Sequence, residues 1–275
     1  HLTGALRSRD ADLMIAALQA LGATVTTSAD PTSLTIEPGA LGGGVTIDCG
    51  LAGTVMRFIP PIAALADGPV HLDGDVGARS RPMGPVLRAL RDLGVQVTGA
   101  DLDHLPVTVH GTGAVQGGQV EIDAGASSQF VSALLLAAPR FTSGLTVRHV
   151  GQVLPSKPHI DMTVQVLRER GVRVDDSVPH VWRVEPGPIA AGTVVVEPDL
   201  SNAAPFLAAA LAAGGTVRIP NWPAQTTQPG ALLPRFLSAF GGSVHQDGDV
   251  LIARGGGDLA PVDLDLGAAG ELAPT

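Results

Sequence analysis

Residues 123–138 read DAGASSQFVSALLLAA, and this stretch decides the fold. A short polar turn, Ser127-Ser128-Gln129, leads into an apolar run that is too uniform for a helix with one face in water. We therefore predict a buried helix that begins beside Ser127. The first turn of a helix has unpartnered N–H groups and the positive end of the helix dipole, so this turn suits an anion. The simpler interpretation is that Ser127 is an ordinary N-cap residue over a core helix.

The same arrangement recurs along the chain at intervals of roughly 70 residues, a spacing that indicates an internal repeat. The recurring helix starts are Gly53-Thr54, Ser127-Ser128-Gln129, Ser201-Asn202 and Glu271. Amphipathic helix patterns and short strand patterns lie between them, so each repeat predicts a small α/β subdomain. If the subdomains share an axis, their helix starts converge on one phosphate or carboxylate site.

The bulk composition restricts the class of partner. The chain has 275 residues, 45% of them hydrophobic, which suits a globular protein of one large or two ordinary domains. Its net charge of −9 disfavours nucleic acid and anionic membranes as partners, because those bind basic surfaces. The sequence shows neither an apolar run of membrane-spanning length nor a signal-peptide pattern. We expect a cytoplasmic protein.

Metal and dinucleotide sites are disfavoured as well. Cys49 is a single cysteine, and the eight histidines lack the close spacing of metal ligands, so we predict neither a metal nor another cofactor. Residues 111–118, GTGAVQGG, superficially match a dinucleotide fingerprint, but a strand pattern follows them. We predict a hairpin loop there.

Three arginines are candidates for anion contacts. Arg57 lies in the first apolar helix, where a charge must be paired or face a ligand because its burial is costly. The repeat makes Asp199 the available carboxylate, so pairing with Asp199 and direct contact with a ligand both stay open. Arg79 and Arg81 precede a helix, and arginine suits bidentate binding of carboxylate or phosphate. For each of these two, a solvated loop charge is the alternative.

Five motifs stand in a fixed order along the chain. They are GLAGTVMRF (50–58), RPMG (81–84), ASSQFVSALLL (126–136), LPSKPHIDMT (154–163) and EPDLSNAAPFLAAA (197–210). Together they resemble the ordered motifs of the 5-enolpyruvylshikimate-3-phosphate synthase family, over essentially the whole chain. The resemblance implies an enolpyruvyl-transferase-like α/β (α+β) fold of two domains, built from repeated βαβαββ subdomains. Its buried helices are parallel and begin at the cleft between the domains.

The resemblance also gives a domain assignment. Residues 1–196 form an N-terminal-type domain whose first subdomain is incomplete and is followed by two more, and residues 197–275 form part of a second domain. The family's segments beyond both ends, with their Lys and Arg residues, are missing from the sequence. We therefore expect an internal fragment of the enzyme that is incomplete for activity.

The activity implied by the resemblance belongs to the shikimate pathway of aromatic amino acid biosynthesis. The family transfers the enolpyruvyl group of phosphoenolpyruvate to the 5-hydroxyl of shikimate 3-phosphate and releases phosphate. It implies two small-molecule partners and no cofactor, and we expect a monomer. The family is the target of glyphosate, but Leu51 replaces a frequent Asn and Phe58 a frequent Pro behind the phosphoenolpyruvate pocket, so sensitivity does not follow.

Site residues carry over position by position from the resemblance. Ser127, Ser128, Gln129 and Ser156 would bind shikimate 3-phosphate. Glu271, in GELAPT, stands where the family has an acid/base carboxylate that also contacts this substrate. That carboxylate takes the proton of the attacking 5-hydroxyl.

For phosphoenolpyruvate, the resemblance assigns Gly53, Arg81 and Gln129. Supporting roles fall to Thr54, Arg57 and Asp199. Two anionic substrates require cationic groups and helix starts of this kind.

Two alternatives stay open. The UDP-N-acetylglucosamine enolpyruvyl transferases are similar, but that family has a cysteine shortly before its Ala-Arg-Pro, whereas residues 77–80 contain none. The other alternative is a non-catalytic anion-binding or structural fragment, which the missing Lys and Arg residues motivate.

Overall fold

A computed structural model of the chain describes residues 1–266, 269 and 272. It divides into two compact units, His1–Val195 and Val196–Thr275. The helices are α1 (Arg9–Ala20), α2 (Gly53–Ala63), α3 (Val76–Arg79), α4 (Gly84–Asp92), α5 (Gln129–Ala137), α6 (Lys157–Glu169), α7 (Leu200–Ala213) and α8 (Leu233–Ala239). The strands are β1 (Leu2–Thr3), β2 (Thr24–Thr27), β3 (Leu34–Glu37), β4 (Val45–Asp48), β5 (Asp67–Asp73), β6 (Gln96–Gly99), β7 (Val107–Thr112), β8 (Gly118–Ile122), β9 (Leu145–His149), β10 (Val174–Asp175), β11 (Val181–Val184), β12 (Val194–Val195), β13 (Gly215–Ile219), β14 (Ser243–Asp247) and β15 (Val250–Gly255).

The first unit contains sheets of one repeated topology. Their strand orders are β4-β5-β7-β6, β8-β9-β11-β10 and β12-β1-β3-β2. In each sheet the first two strands are parallel and the remaining neighbours are antiparallel. A parallel pair needs a crossover connection, and α2 and α5 supply it in the first two sheets. These two sheets follow the order βαβαββ, which confirms the predicted subdomain.

The third sheet joins the two ends of the first unit. Leu2 lies opposite Val194 and Thr3 opposite Val195 in a parallel pair, and the N–H of Val194 donates to the carbonyl of His1 at 2.9 Å. The first repeat therefore takes its edge strand from the far end of the unit. The assignment of residues 1–196 and 197–275 to two domains of the family stays a prediction.

The second unit repeats the later part of this pattern. Its sheet has the order β13-β15-β14 and is antiparallel throughout. Helix α7 packs on β13 and β15, and α8 packs on β14. Leu200, Leu207 and Leu211 of α7 contribute to the core of this unit.

Helix α5 is the buried helix that the sequence predicts. It begins at Gln129, with Ser128 before it, and seven of its nine residues are buried. Helix α2 is also largely buried and packs against α5, while α1, α4 and α6 pack around this pair. Apolar side chains of the core of the first unit pack against these two helices, and each fully buried Leu or Phe contributes about 1.5–3 kcal/mol to folding.

Residues 111–118 do not form the predicted hairpin loop, so that prediction was wrong. They include the connection from β7 to β8, and these strands lie in different sheets. The N–H of Thr142 donates to the carbonyl of Val115 at 2.9 Å, which ties this connection to the turn before β9. Glycine-rich turns look alike in sequence whether the strands that they join pair with each other or with distant partners.

Within residues 1–266, 269 and 272, no helix combines the length and the apolar character that crossing a membrane requires.

Replacing Leu135 with Ala should lower the free energy of unfolding of the first unit by about 2–5 kcal/mol, because it leaves a cavity in the core beside α5. Leu6→Ala, at a side chain that is 62% exposed, is the matched control and should change it by less than about 0.5 kcal/mol. Urea unfolding followed by the fluorescence of buried Trp182, in a Trp222→Phe background, measures both variants. Equal losses in the two variants would show that α5 is not at the core.

The single cysteine offers a second test of burial. Burial, and to a lesser extent the negative charges of Asp48 and Asp73, raises the pKa of the Cys49 thiol to about 12. At about pH 8 the folded protein therefore holds the unreactive thiol rather than the thiolate. We expect iodoacetamide to label Cys49 about tenfold or more slowly in the folded protein than in the urea-unfolded chain. Equal labelling rates, measured by mass spectrometry, would contradict this environment.

Candidate functional site

Arg81 lies against the start of α2. A Cβ atom at Gly53 would come within 2.6 Å of Arg81 Nη2, so the missing side chain of glycine makes room for the guanidinium. Arg81 Nη1 donates to the carbonyl of Leu51 at 2.7 Å. Ala52, which precedes the helix, offers no side-chain cap. A guanidinium and the uncapped first turn of an eleven-residue helix therefore lie together, an arrangement that suits an anion.

Arg57 lies one turn further along α2 and is only 5% exposed. Its Nη1 donates to Gln129 Oε1 at 2.8 Å, and its Nη2 donates to the carbonyl of Pro82 at 3.4 Å. Its guanidinium carbon lies 5.1 Å from the centroid of the Phe130 ring, within the range of a cation–π interaction. All of these partners are neutral, so the charge of Arg57 is hydrogen-bonded but is not compensated by any carboxylate of the first unit.

The two arginines affect each other. Burial and, to a lesser extent, the positive charge of Arg81 lower the pKa of the Arg57 guanidinium to about 10. Arg57 still carries its charge at neutral pH. In the first unit, all of which is described, no carboxylate lies within 4.0 Å of either guanidinium. A bound anion would offset the electrostatic repulsion between the Arg57 and Arg81 guanidinium groups.

Arg79 makes different contacts from Arg81, although the loop pattern alone leaves the same two alternatives open for both. Its Nε and Nη2 donate to the two oxygens of Asp73 at 2.9 and 2.6 Å. This bidentate contact lowers the pKa of the Asp73 carboxyl. Arg79 is thus paired within the protein, whereas the protein acceptor of Arg81 is a backbone carbonyl.

The start of α5 holds the predicted polar turn. The N–H of Gln129 donates to Ser127 Oγ at 3.3 Å. The N-cap residue is Ser128, however, and its side chain makes no cap hydrogen bond, so Ser127 is not the ordinary N-cap of the simpler interpretation. Ser128 is buried, and the Gln129 side chain is half-buried and bonded to Arg57. The structure therefore joins the α2 and α5 starts through the Arg57–Gln129 contact.

Ser156 lies at the start of α6 with a left-handed backbone, φ 52°. Helix α6 packs against α5, where Thr163 Oγ1 donates to Ser132 Oγ at 2.8 Å. Within the fully described first unit, Ser156 makes no hydrogen bond to Ser127 or Gln129. The adjacent Lys157 is bonded to both oxygens of Asp161, at 2.6 and 2.8 Å.

The remaining predicted residues divide by location. Thr54 follows Gly53 and is half-buried. Asp199 belongs to the second unit, where its oxygens accept from the backbone and side-chain nitrogens of Asn202 at 3.1 and 2.9 Å and cap α7. Because Arg57 and Asp199 lie in different units, their pairing stays a prediction. Glu271 lies outside the described residues.

Three groups at the site were not predicted from the sequence. They are the Phe130 ring and the backbone carbonyl groups of Pro82 and Leu51. Phe130 directly follows Gln129 and Pro82 directly follows Arg81, while Leu51 was named only as a replacement behind the phosphoenolpyruvate pocket. Backbone carbonyls leave no signal in sequence, but an aromatic residue directly after Gln129 was visible. Within the part of the chain that the structure describes, no cluster of His, Cys, Asp and Glu is arranged to hold a metal ion.

Comparison with known proteins identifies relatives of the whole sequence. The family model of EPSP synthase (3-phosphoshikimate 1-carboxyvinyltransferase) matches residues 1–275. The curated 3-phosphoshikimate 1-carboxyvinyltransferase of Kocuria rhizophila is 56% identical over 98% of this chain and 63% of its own length. The chain thus spans 63% of the length of that curated relative.

Two solved structures share the fold. EPSP synthase from Acinetobacter baumannii superposes with a TM-score of 0.78 at 22% identity, covering 99% of this chain and 63% of that one. The enolpyruvyl transferase NikO from Streptomyces tendae gives a TM-score of 0.71 at 17% identity, covering 98% of this chain and 63% of that one. These likenesses bear out the predicted α/β enolpyruvyl-transferase-like fold.

Proposed function

Because this chain belongs to the EPSP synthase (3-phosphoshikimate 1-carboxyvinyltransferase) family, we propose that the protein transfers the enolpyruvyl group of phosphoenolpyruvate to shikimate 3-phosphate. The 56% identity to a relative that bears this name is the observation that carries the proposal. The resemblance of the five ordered sequence motifs points to the same activity.

Phosphoenolpyruvate has a phosphate and a carboxylate group. The guanidinium groups of Arg57 and Arg81, which have no carboxylate partner in the first unit, suit these anionic groups. Arg81 would bind one acidic group with its free N–H donors, and the first turn of α2, at Gly53 and Thr54, would add backbone donors. Gln129 would contribute the N–H groups of its amide. The supporting observation is that Arg79 is already paired with a carboxylate, while no carboxylate of the first unit pairs with Arg81.

Shikimate 3-phosphate would bind beside α5. The hydroxyl groups of Ser127 and Ser128 and the amide of Gln129 offer donors for its phosphate or its ring hydroxyl groups. Ser156, at the start of the neighbouring α6, would add another hydroxyl. Serine hydroxyl groups hold a phosphate without the repulsion that further cations would cause beside Arg57.

The chemical step needs a base and a site for developing negative charge. Glu271 would take the proton of the 5-hydroxyl as its oxygen adds to C2 of phosphoenolpyruvate, while water in the site supplies the proton that C3 gains. The resulting tetrahedral intermediate loses a proton from C3 and expels phosphate, so the double bond forms again. Arg81 would stabilise the phosphate as it gains charge on leaving.

We also propose that the protein is a monomer in the cytoplasm. Its substrates are small, soluble anions, and its net charge of −9 does not favour attachment to an anionic membrane.

The activity is tested by phosphate release from phosphoenolpyruvate with the full-length protein. We expect release with shikimate 3-phosphate and none with UDP-N-acetylglucosamine. The reverse preference would assign the protein to the other transferase activity. Binding of shikimate 3-phosphate without turnover would instead support a non-catalytic anion-binding role.

Arg81→Met should raise the KM for phosphoenolpyruvate by roughly 10- to 100-fold, because a charge-assisted contact with the substrate is lost. The KM for shikimate 3-phosphate should change much less. Arg79→Met is the matched control, and its effect on the KM for phosphoenolpyruvate should stay within about threefold, since Arg79 already pairs with Asp73. Equal effects of the two substitutions in steady-state kinetics would remove Arg81 from the site.

A further inference from the structure

The hydrogen bond between Arg57 and Gln129 links α2 to α5, and it also affects the orientation of the Gln129 side-chain amide. Arg57 Nη1 lies 2.8 Å from Gln129 Oε1. A guanidinium has only donors, whereas the glutamine amide has an acceptor end, Oε1, and a donor end, Nε2. Arg57 can therefore bond only to Oε1. If the amide turned over, its NH2 group would face a cation and the hydrogen bond would be lost.

The guanidinium of Arg57 is held in place on several sides. The Phe130 ring lies 5.1 Å away, the Pro82 carbonyl accepts from Nη2, and the side chain is 5% exposed. A group confined in this way cannot follow a rotating amide. It imposes one orientation on Gln129.

The same contact leaves the donor end of the amide available. Among the described residues of the first unit, none accepts a hydrogen bond from Gln129 Nε2. Gln129 is half-buried at the start of α5, so its NH2 group is not enclosed. Two hydrogens are thus presented at the point where the proposed anionic substrates bind.

The stability of the folded protein does not explain why a charged side chain is buried at position 57. Arg57 Nε is buried and has no hydrogen-bond partner, and the charge has no carboxylate partner in the first unit. Burying a cation in this way opposes folding, and an apolar side chain of similar size would avoid that cost.

We propose that Arg57 is a positioning residue that locks the Gln129 amide with Nε2 directed to substrate. The proposal rests on the proposed function, because it assigns Arg57 a role in that reaction. The competing role is direct contact between Arg57 and a substrate. The two roles differ in whether the effect of Arg57 passes through Gln129.

A double-mutant cycle separates these roles. Arg57→Met should lower kcat/KM for phosphoenolpyruvate on the order of 10- to 100-fold, the effect of losing a hydrogen bond to a charged group. In a Gln129→Ala background the same substitution should change kcat/KM by less than about threefold, because no amide is left to position. Arg57→Lys, which keeps a donor for Oε1, should recover part of the loss. Equal losses from Arg57→Met in both backgrounds would overturn the proposal in favour of direct contact.

A second measurement does not depend on catalysis. The NMR order parameter of the Gln129 side-chain Nε2 should be high in the original chain and fall below about 0.6 in Arg57→Met. The exposed Arg140→Met is the matched control and should leave it unchanged. An equally rigid amide in Arg57→Met would overturn the proposal. If the original protein lacks turnover, the proposed function fails, and this order parameter alone decides the role of Arg57.

Discussion

A buried guanidinium sets the condition that the candidate site has to satisfy. Arg57 is on α2, and its acceptors come from the first residue of α5 and from Pro82, just before α4. These elements must keep their positions if the charge is to stay hydrogen-bonded. The packed helices make that possible, because apolar side chains surround α2 and α5 on the remaining sides. The hydrophobic core and the polar site thus depend on the same pair of helices.

The distribution of carboxylates decides which cations remain for a ligand. The chain as a whole is acidic, and nearby carboxylates pair with exposed arginines: Arg79 with Asp73 and Arg9 with Asp75. Arg57 and Arg81 have neutral acceptors instead. A protein with a net charge of −9 therefore presents a local positive site, which suits an anionic ligand.

The sequence predicts much of this fold because the decisive signals are local. The uniform apolar run after Ser127 predicts α5, and the repeated spacing predicts small α/β subdomains. Their βαβαββ order is what the family resemblance implies. The pairing of β12 with β1 escapes prediction, since it joins short segments from opposite ends of the unit. The turn at residues 111–118 was misread for a related reason, because glycines indicate a turn but not the partners of the flanking strands.

The site shows the same limit. Gly53, Arg81 and Gln129 could be chosen from motifs, but the acceptor of Arg57 lies 72 residues away and depends on how α2 packs on α5. Residue chemistry alone could not separate Arg79 from Arg81, because that difference depends on which one reaches Asp73. Only the family motif favours Arg81.

The central claim is that Arg57 and Arg81 form a cationic site completed by an anionic substrate. A crystal structure of the full-length protein with shikimate 3-phosphate and an unreactive phosphoenolpyruvate analogue tests it most directly. We predict analogue oxygens within about 3 Å of the Arg81 guanidinium and of Gln129 Nε2, with Oε1 still bonded to Arg57. An analogue bound away from Arg81, or Arg81 paired with a protein carboxylate, would contradict the claim.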